Sequence, residues 1–553
     1  MKLVANGNCT HRYGRTLCSG HWIDGRETAL PKKAEAVFES RNPAEVRDLV
    51  GRFPLATRAE TVRACEAAGA AFPKWARVPA PVRAEVIGRF AALLRQHKEM
   101  LSRLVTREIG KTLRESRGSV QEAIDTATFF QSEGRRLYGQ TVPSELPRKE
   151  LETFRRPLGV CAMITAGNFP VAVPSWKIVP AILCGNTVVW KPSDDAPATA
   201  AVFARLFDEA GLPPGVLNVV FGRGAGSAGE FLIEGVEKGL IQKVSFTGSS
   251  AVGRKIGEVC GRALQIPSLE LGGKNPMIVM EDADLEQAVD AAVWAGFGTA
   301  GQRCTSLGNL ILHRAIAKPF TQALLKRVAA IEIGDPTRHA GVLYGPMINA
   351  RFLEGFLQHL SWGGIEGARL LTRPKGRITV RNRPRSFAGD ADRGMYVFPA
   401  VWGGVEIGMK IAQTEIFGPT INLIAVRDFD EAMAVANGTP YGLSSAIYTR
   451  NPVWRMRFKT EIQAGMASVN NSTTGAEAHL PFGGVKNSGN GTRESGIWVI
   501  DAYTRWQAVN VDDSGGLQLA QIETAQVQAK AAVNWTGLTS GSATNRRAHG
   551  GRA

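Results

Sequence analysis

The sequence predicts an α/β fold built on parallel sheets, and three observations carry that prediction. Residues 158–280 alternate short β-rich runs (VCAMI, TVVW, VLNVV, KVSF, MIVM) with Ala-rich or amphipathic helical stretches beginning near Val171, Ala196, Gly226 and Ala251. Strands separated by helices need crossover connections, which is the connectivity of a parallel sheet. A second series of strand and helix signals runs from Met280 to about residue 510, so a second α/β unit is expected. The chain has 553 residues, 44% of them apolar, which is room for several domains of about 150 residues, each with its own core.

In order along the chain, residues 82–109 place Val82, Val86, Ile87, Phe90, Leu93, Leu94, Leu101, Leu104, Val105 and Ile109 at helical spacing, closed by Gly110. That pattern predicts one long amphipathic helix with a glycine C-cap. After Met280, EDADLEQAVDAAVWAGFGTAGQRC reads as an acid-capped helix followed by a glycine-broken turn. Two segments stand apart: 373–393 (RPKGRITVRNRPRSFAGDADR) reads as an exposed arginine-rich loop, and 521–553 as a disordered Ala/Gln/Ser/Gly tail.

Composition bounds the function. With 66 Lys and Arg against 50 Asp and Glu the net charge is +16, so a polyanion partner enters as one class of reading. The charge is unevenly placed: residues 1–19 carry +3, 373–393 carry +5 and 521–553 carry +3, leaving only +5 on the other 480 residues. A mildly charged body with basic appendages does not point to nucleic acid as the main ligand. Seven scattered cysteines (9, 18, 65, 161, 184, 260, 304) form no CxxC pair and read as reduced thiols of a cytoplasmic protein. The first 30 residues hold no apolar signal core and no run of about 18 apolar residues occurs, so no secretory signal or membrane span is expected. Arg12 and Arg15 in an acid-free start hint at a transit peptide but lack an amphipathic stripe.

Several segments could carry chemistry. GAGSAG (224–229) fits GxGxxG after a strand, yet the position about 20 residues on, near Val244, offers no acid for a ribose, so a plain turn is expected. GQRCT (301–305) sets Cys304 behind Gly298 and Gly301 and beside Arg303, which suits either a nucleophile or a buried small hydrophobe. LELGGKNP offers Glu270, TAGNFP offers Asn168, and WKPSD offers Lys191 and Asp194, all at strand ends, where open parallel sheets bind ligands. The eight histidines show no HExxH spacing; Cys9, His11, Cys18 and His21 match no standard zinc pattern, and no metal site is expected. No GxSxG elbow supports a serine hydrolase.

TAGNFP, KPSDDAP, SFTGSSAVG, LELGGKNP, GTAGQRCT, EIFGP (415–419), LSSAIYT and PFGGVKNSG occur in an order that strongly resembles the aldehyde dehydrogenase superfamily over residues 20–515. The resemblance implies an aldehyde dehydrogenase-like protomer: an NAD-binding domain (20–142 and 158–270), a catalytic domain (271–480) and a β flap (143–157 and 481–515). An N-terminal extension (1–19), the basic insertion 373–393 and a tail (516–553) lie outside the family pattern. Homodimers or homotetramers are implied, with no membrane or specific nucleic-acid partner.

On the same resemblance Cys304 attacks the aldehyde, Asn168 and the Cys304 backbone N–H hold the oxyanion, and Glu270 activates the water that releases the acid. NAD would be held by Lys191, Asp194, Gly248, Ser249, Gly253, Glu415 and Phe417, with Asp194 disfavouring the 2′-phosphate of NADP, the alternative cofactor. GQRCT, VLYGP and NNSTTGAEAHLPFGG look closest to the α-aminoadipic and bacterial semialdehyde branch. A substrate carboxylate would then meet Arg303 and the backbone of Gly475 and Ala476, with Phe169 and Phe482 walling the chain; the alternative for Arg303 is a salt bridge within the protein. Two other readings remain: broad specificity for neutral aldehydes, and a non-catalytic binding protein on the same scaffold.

Overall fold

A computed structural model describes residues 10–11, 14–146 and 148–517. The tail expected from 521 onward, Cys9 of the weighed zinc set and Arg12 of the weighed transit peptide lie outside the described residues. The chain divides into two units: 1–137 with 156–505, and 138–155 with 506–553.

The larger unit holds two seven-stranded sheets. The first runs, in spatial order, Ser268–Glu270, Lys243–Thr247, Val160–Ile164, Thr187–Lys191 and Leu217–Val219, all parallel, and ends in the short antiparallel strands Trp22–Ile23 and Arg26–Glu27. Strand order therefore reverses between Val160–Ile164 and Lys243–Thr247, paired with Ile164 opposite Phe246, which opens a crevice at their C-terminal ends. Crossover helices begin at Ala172, Pro197, Ala228 and Ser250, within two residues of the sequence expectation. The central three strands and the helix Ala172–Leu183 are buried throughout, which is why they read as unbroken apolar runs.

The second sheet orders Arg369–Leu370, Ala400–Gly403, Thr420–Val426, Leu307–His313, Asn275–Val279, Ser444–Tyr448 and Met466–Val469, parallel except for its first pair. The acid-capped helix spans Leu285–Phe297, its Asp284 carboxylate accepting from the Gln287 N–H at 3.1 Å.

Three expectations are corrected. The helix over 82–109 is two, Ala80–Gln96 and Lys98–Ile109, broken at His97. The break lets Ile87, Phe90 and Leu94 and then Leu101, Val105 and Ile109 each face the core. Gly110 caps the second helix in the left-handed region, φ 74°. The loop 373–393 is not wholly exposed: Ile378, Phe387 and Ala391 are buried in the catalytic core, with the Phe387 ring edge-on to Tyr396 at 4.9 Å, while Arg381, Arg383 and Arg385 face solvent. Residues 481–505 belong to the larger unit rather than to a flap. GAGSAG forms the bend that leads into the helix Ala228–Glu237, and its Gly224 lines the cleft described below.

The smaller unit holds a three-stranded sheet ordered Thr504–Asp512, Lys149–Pro157, Thr141–Val142. Within it the Arg155 guanidinium lies 4.0 Å from the Trp506 ring centre. Among the described residues no helix is long and apolar enough to cross a membrane, and no three His, Cys, Asp or Glu side chains cluster as metal ligands.

Candidate active site

A cleft of about 1120 Å³ opens at the strand C-termini of the first sheet. Its wall includes Asn168 and Phe169 after Val160–Ile164, Lys191 and Asp194 after Thr187–Lys191, and Gly248 and Ser249 after Lys243–Thr247. The other lobe brings Arg303, Cys304, Glu415, Phe417, Gly475, Ala476 and Phe482 to the same space. Residues from opposite ends of the sequence thus share one cavity, as in most ligand sites of open α/β sheets.

Cys304 is delivered by an unusual turn. Thr299, Ala300 and Gly301 all lie in the left-handed region, at φ 53°, 53° and 68°. Two non-glycine residues there cost about 1–2 kcal/mol each, a strain that the surrounding packing must hold. Cys304 packs against the apolar cluster of Ala172, Val173, Trp176, Leu443 and Phe482, which Phe169 and Ala476 also join. Burial first, then the nearby Glu270 and Glu415, push it well above the usual thiol value, partly countered by the backbone N–H groups of Thr305 and Cys304. The Asn168 amide donates one hydrogen to the Gln302 carbonyl at 3.0 Å, which fixes its plane beside the cysteine and leaves its second N–H available.

Glu270 ends its strand without reaching the cleft wall; its carboxyl is buried behind the cysteine, with Oε1 lacking a hydrogen-bond partner. Burial and the Glu494 carboxylate raise its pKa well above normal, against the pull of Lys177 and the Gly484 N–H. Lys177 and Glu494 form a buried ion pair, and Lys177 also donates to Ser245 at 2.9 Å. Sequence reasoning missed this pair because nothing near either residue marks a partner 317 positions away.

The donors for a dinucleotide fit one. Ser249 caps the helix Ser250–Arg262, so its N-terminal N–H groups face the cleft, a ready phosphate site. Lys191 is buried, 4.0 Å from Asp194, and burial lowers its pKa. Glu415 accepts from the Gly273 N–H at 3.2 Å and is pushed up to about 7 by burial. A Cβ at Gly272 would collide with that carboxylate, so the glycine keeps it in place. Gly253 does not reach the cleft; it packs under Leu271, whose side chain occupies the space a Cβ would need, and its role is helix packing rather than cofactor contact.

Arg303 is committed within the protein. Its guanidinium donates to Glu115 at 2.5 Å and to Thr299 at 3.0 Å and lies 4.6 Å from the Trp294 ring centre. Glu115, although buried, is held below the usual carboxylate range by Arg303 and Lys111. The bidentate grip on a substrate carboxylate expected of Arg303 is therefore replaced by the internal salt bridge, the alternative weighed from the sequence. Lys111, Ser119 and Glu122, which no motif singled out, also line the cleft.

The profile of the aldehyde dehydrogenase family matches residues 30–509. The chain is 39% identical over 495 residues to the alpha-ketoglutarate semialdehyde dehydrogenase of Haloferax volcanii, covering 89% of this chain and 97% of that one. It is 37% identical over 493 residues to the alpha-ketoglutaric semialdehyde dehydrogenase of Bacillus subtilis, with the same coverage. The solved structure of an NAD-dependent aldehyde dehydrogenase from Sinorhizobium meliloti superposes with a TM-score of 0.85 at 32% identity, covering 91% and 96% of the two chains. The chain belongs to the aldehyde dehydrogenase family. It is an enzyme on that family's two-lobed α/β scaffold.

Proposed function

We propose that the protein oxidises a carboxylate-bearing semialdehyde of the 2,5-dioxopentanoate type to the dicarboxylic acid, with NAD as acceptor. The observation that carries this reading is the single cleft in which Cys304 lies between a dinucleotide cradle (Lys191, Gly248, Ser249, Glu415) and a charged, polar wall. The names of the relatives favour α-ketoglutarate semialdehyde over the α-aminoadipic semialdehyde suggested by sequence.

The residues divide the chemistry. The Cys304 thiolate adds to the aldehyde carbon, forming a tetrahedral thiohemiacetal. The free N–H of Asn168 and the Cys304 backbone N–H meet the oxygen as charge develops on it. When bound, the dinucleotide would supply the acceptor for the hydride lost from the aldehyde carbon, and Cys304 would retain the acyl group as a thioester. Glu270 then takes a proton from water attacking that thioester; a carboxylate whose pKa is raised is the stronger base. Acid is released and the thiol regenerated. The Lys177–Glu494 ion pair sets the local charge around that carboxyl, with Lys177 favouring its ionised form and Glu494 opposing it. Asp194, 45% exposed at the cleft, disfavours a 2′-phosphate and with it NADP.

Copies of the chain associate as a homodimer or homotetramer, a reading supported by the exposed Leu264 and Ile266, which are costly to leave in water. Light scattering should give about two or four times 59.4 kDa.

The test of the substrate is kcat/KM for 2,5-dioxopentanoate against pentanal, with NAD and with NADP. The reading expects a preference of at least about a hundredfold for the carboxylated aldehyde and for NAD. Equal turnover of the two aldehydes would favour the broad-specificity alternative, and no reduced nicotinamide with any aldehyde would favour a binding protein.

A further inference from the structure

One wall of the cleft is built by Lys111 and the helix Leu113–Glu133 that follows it. Three side chains of this wall carry a buried polar atom with no hydrogen-bond partner: Lys111 Nζ, Ser119 Oγ and Glu122 Oε1. Lys111 and Ser119 are each only 2% exposed. Buried polar groups are nearly always partnered, because an unmet donor forfeits its water without return. Such atoms on a cavity wall mark where a ligand completes the bonding. Ser119 and Glu122 lie three residues apart, on one helix face with Glu115.

The chemistry of that ligand follows from the groups. Burial lowers the Lys111 pKa to about 7, so an anion beside it would also favour its charged form; that ammonium has three donors and no acceptor, and its missing partner is an oxygen anion or a carbonyl. Lys111 Nζ stands 3.1 Å from the centre of the Phe169 ring, with the Glu115 carboxylate near enough to act on it but not hydrogen-bonded to it, and its flexible stem lets it turn to a ligand. Arg303, the nearby cation, is spoken for by Glu115. Glu122 does not oppose an anion here: burial pushes its carboxyl up to about 8, so it is largely neutral at pH 7 and offers a proton rather than a charge.

We infer that Lys111, with the Ser119 hydroxyl beside it, binds the carboxylate of the semialdehyde and so sets the preference for carboxylated over neutral aldehydes. The inference rests on the semialdehyde reading above and replaces Arg303 with Lys111 as the anchor. Substrate bound this way lies between an anion site on the helix wall and the reactive carbon at Cys304.

The experiment measures kcat/KM of the full-length enzyme for 2,5-dioxopentanoate and for pentanal in the wild type, Lys111→Met and Lys111→Arg, with a melting curve for each. The expected result is that the ratio of the two values falls about 30-fold in Lys111→Met, mainly through KM of the carboxylated substrate, and recovers in part in Lys111→Arg. A wild type that prefers 2,5-dioxopentanoate and a Lys111→Met enzyme that keeps that ratio would overturn the inference while leaving the semialdehyde reading standing. A wild type without preference would overturn both. If Lys111→Met melts early, the ratio in Lys111→Arg and in Ser119→Ala decides: unchanged in both, the inference fails; lowered in Ser119→Ala, it holds.

Discussion

On the proposed reading Cys304 is the nucleophile, and its surroundings favour the protonated thiol. Burial and two nearby carboxyls push the thiol well above its usual value. Because the folded pKa is raised, the thiolate fraction grows only as pH climbs past the usual thiol value of about 8.5. Alkylation of Cys304 by iodoacetamide in the cofactor-free enzyme should therefore still be accelerating at pH 9, as followed by peptide mass spectrometry; a plateau near pH 7 would mean an activated resting thiolate. The Arg303–Glu115 pair makes a second residue-scale prediction. Both partners are nearly fully buried, so Arg303→Met strands the Glu115 carboxylate, with an expected loss of about 3–5 kcal/mol in denaturant unfolding. A loss below about 1 kcal/mol would show that the pair is not formed. Cys304, Asn168 and Glu415 were legible in the sequence because each sits inside a distinctive local string. The two alternatives for Arg303 could not be separated in the sequence, because its partner Glu115 is 188 residues away in a helix capping box that points to no such pairing.

Among elements, the turn Gly298–Gly301 matters most for placing the nucleophile. At Gly301 the positive φ is joined by crowding: a Cβ would strike the Gly418 carbonyl in the EIFGP segment that carries Glu415. Gly301→Ala should thus disturb both lobes of the site at once. The expected result is a kcat about a hundredfold lower with a stability loss of about 1–3 kcal/mol, read from steady-state kinetics and melting. Unchanged kcat would mean that the turn does not position Cys304. The parallel strands and their crossovers were legible because buried strands are short apolar runs between helical periods. The break at His97 was not, since both helices keep their apolar spacing across it and neither Gly nor Pro marks the bend. The loop 373–393 misled for a related reason. Its many arginines hid the three buried anchors Ile378, Phe387 and Ala391.

For the whole molecule, the net charge of +16 is a property of its edges. Arg381, Arg383 and Arg385 are exposed on a loop whose core contacts come from other residues. Replacing all three with serine should shorten retention on heparin while leaving kcat/KM within about twofold; a parallel fall in activity would tie the loop to the site. What the sequence could not reveal is how two lobes meet. The cleft joins Asn168 and Lys191 from one sheet to Cys304 and Glu415 from the other, and only the folded chain brings Glu270, Lys177 and Glu494 behind the nucleophile. On the proposed reading, that assembly runs a two-stage reaction in which Cys304 takes the acyl group and Glu270 drives its hydrolysis. The direct test is single-turnover kinetics of Glu270→Gln with 2,5-dioxopentanoate and NAD, alongside intact-protein mass spectrometry. The account predicts a burst of about one reduced nicotinamide per site, a near-zero steady rate and an acyl adduct on Cys304. Equal loss of burst and steady rate, with no adduct, would contradict it.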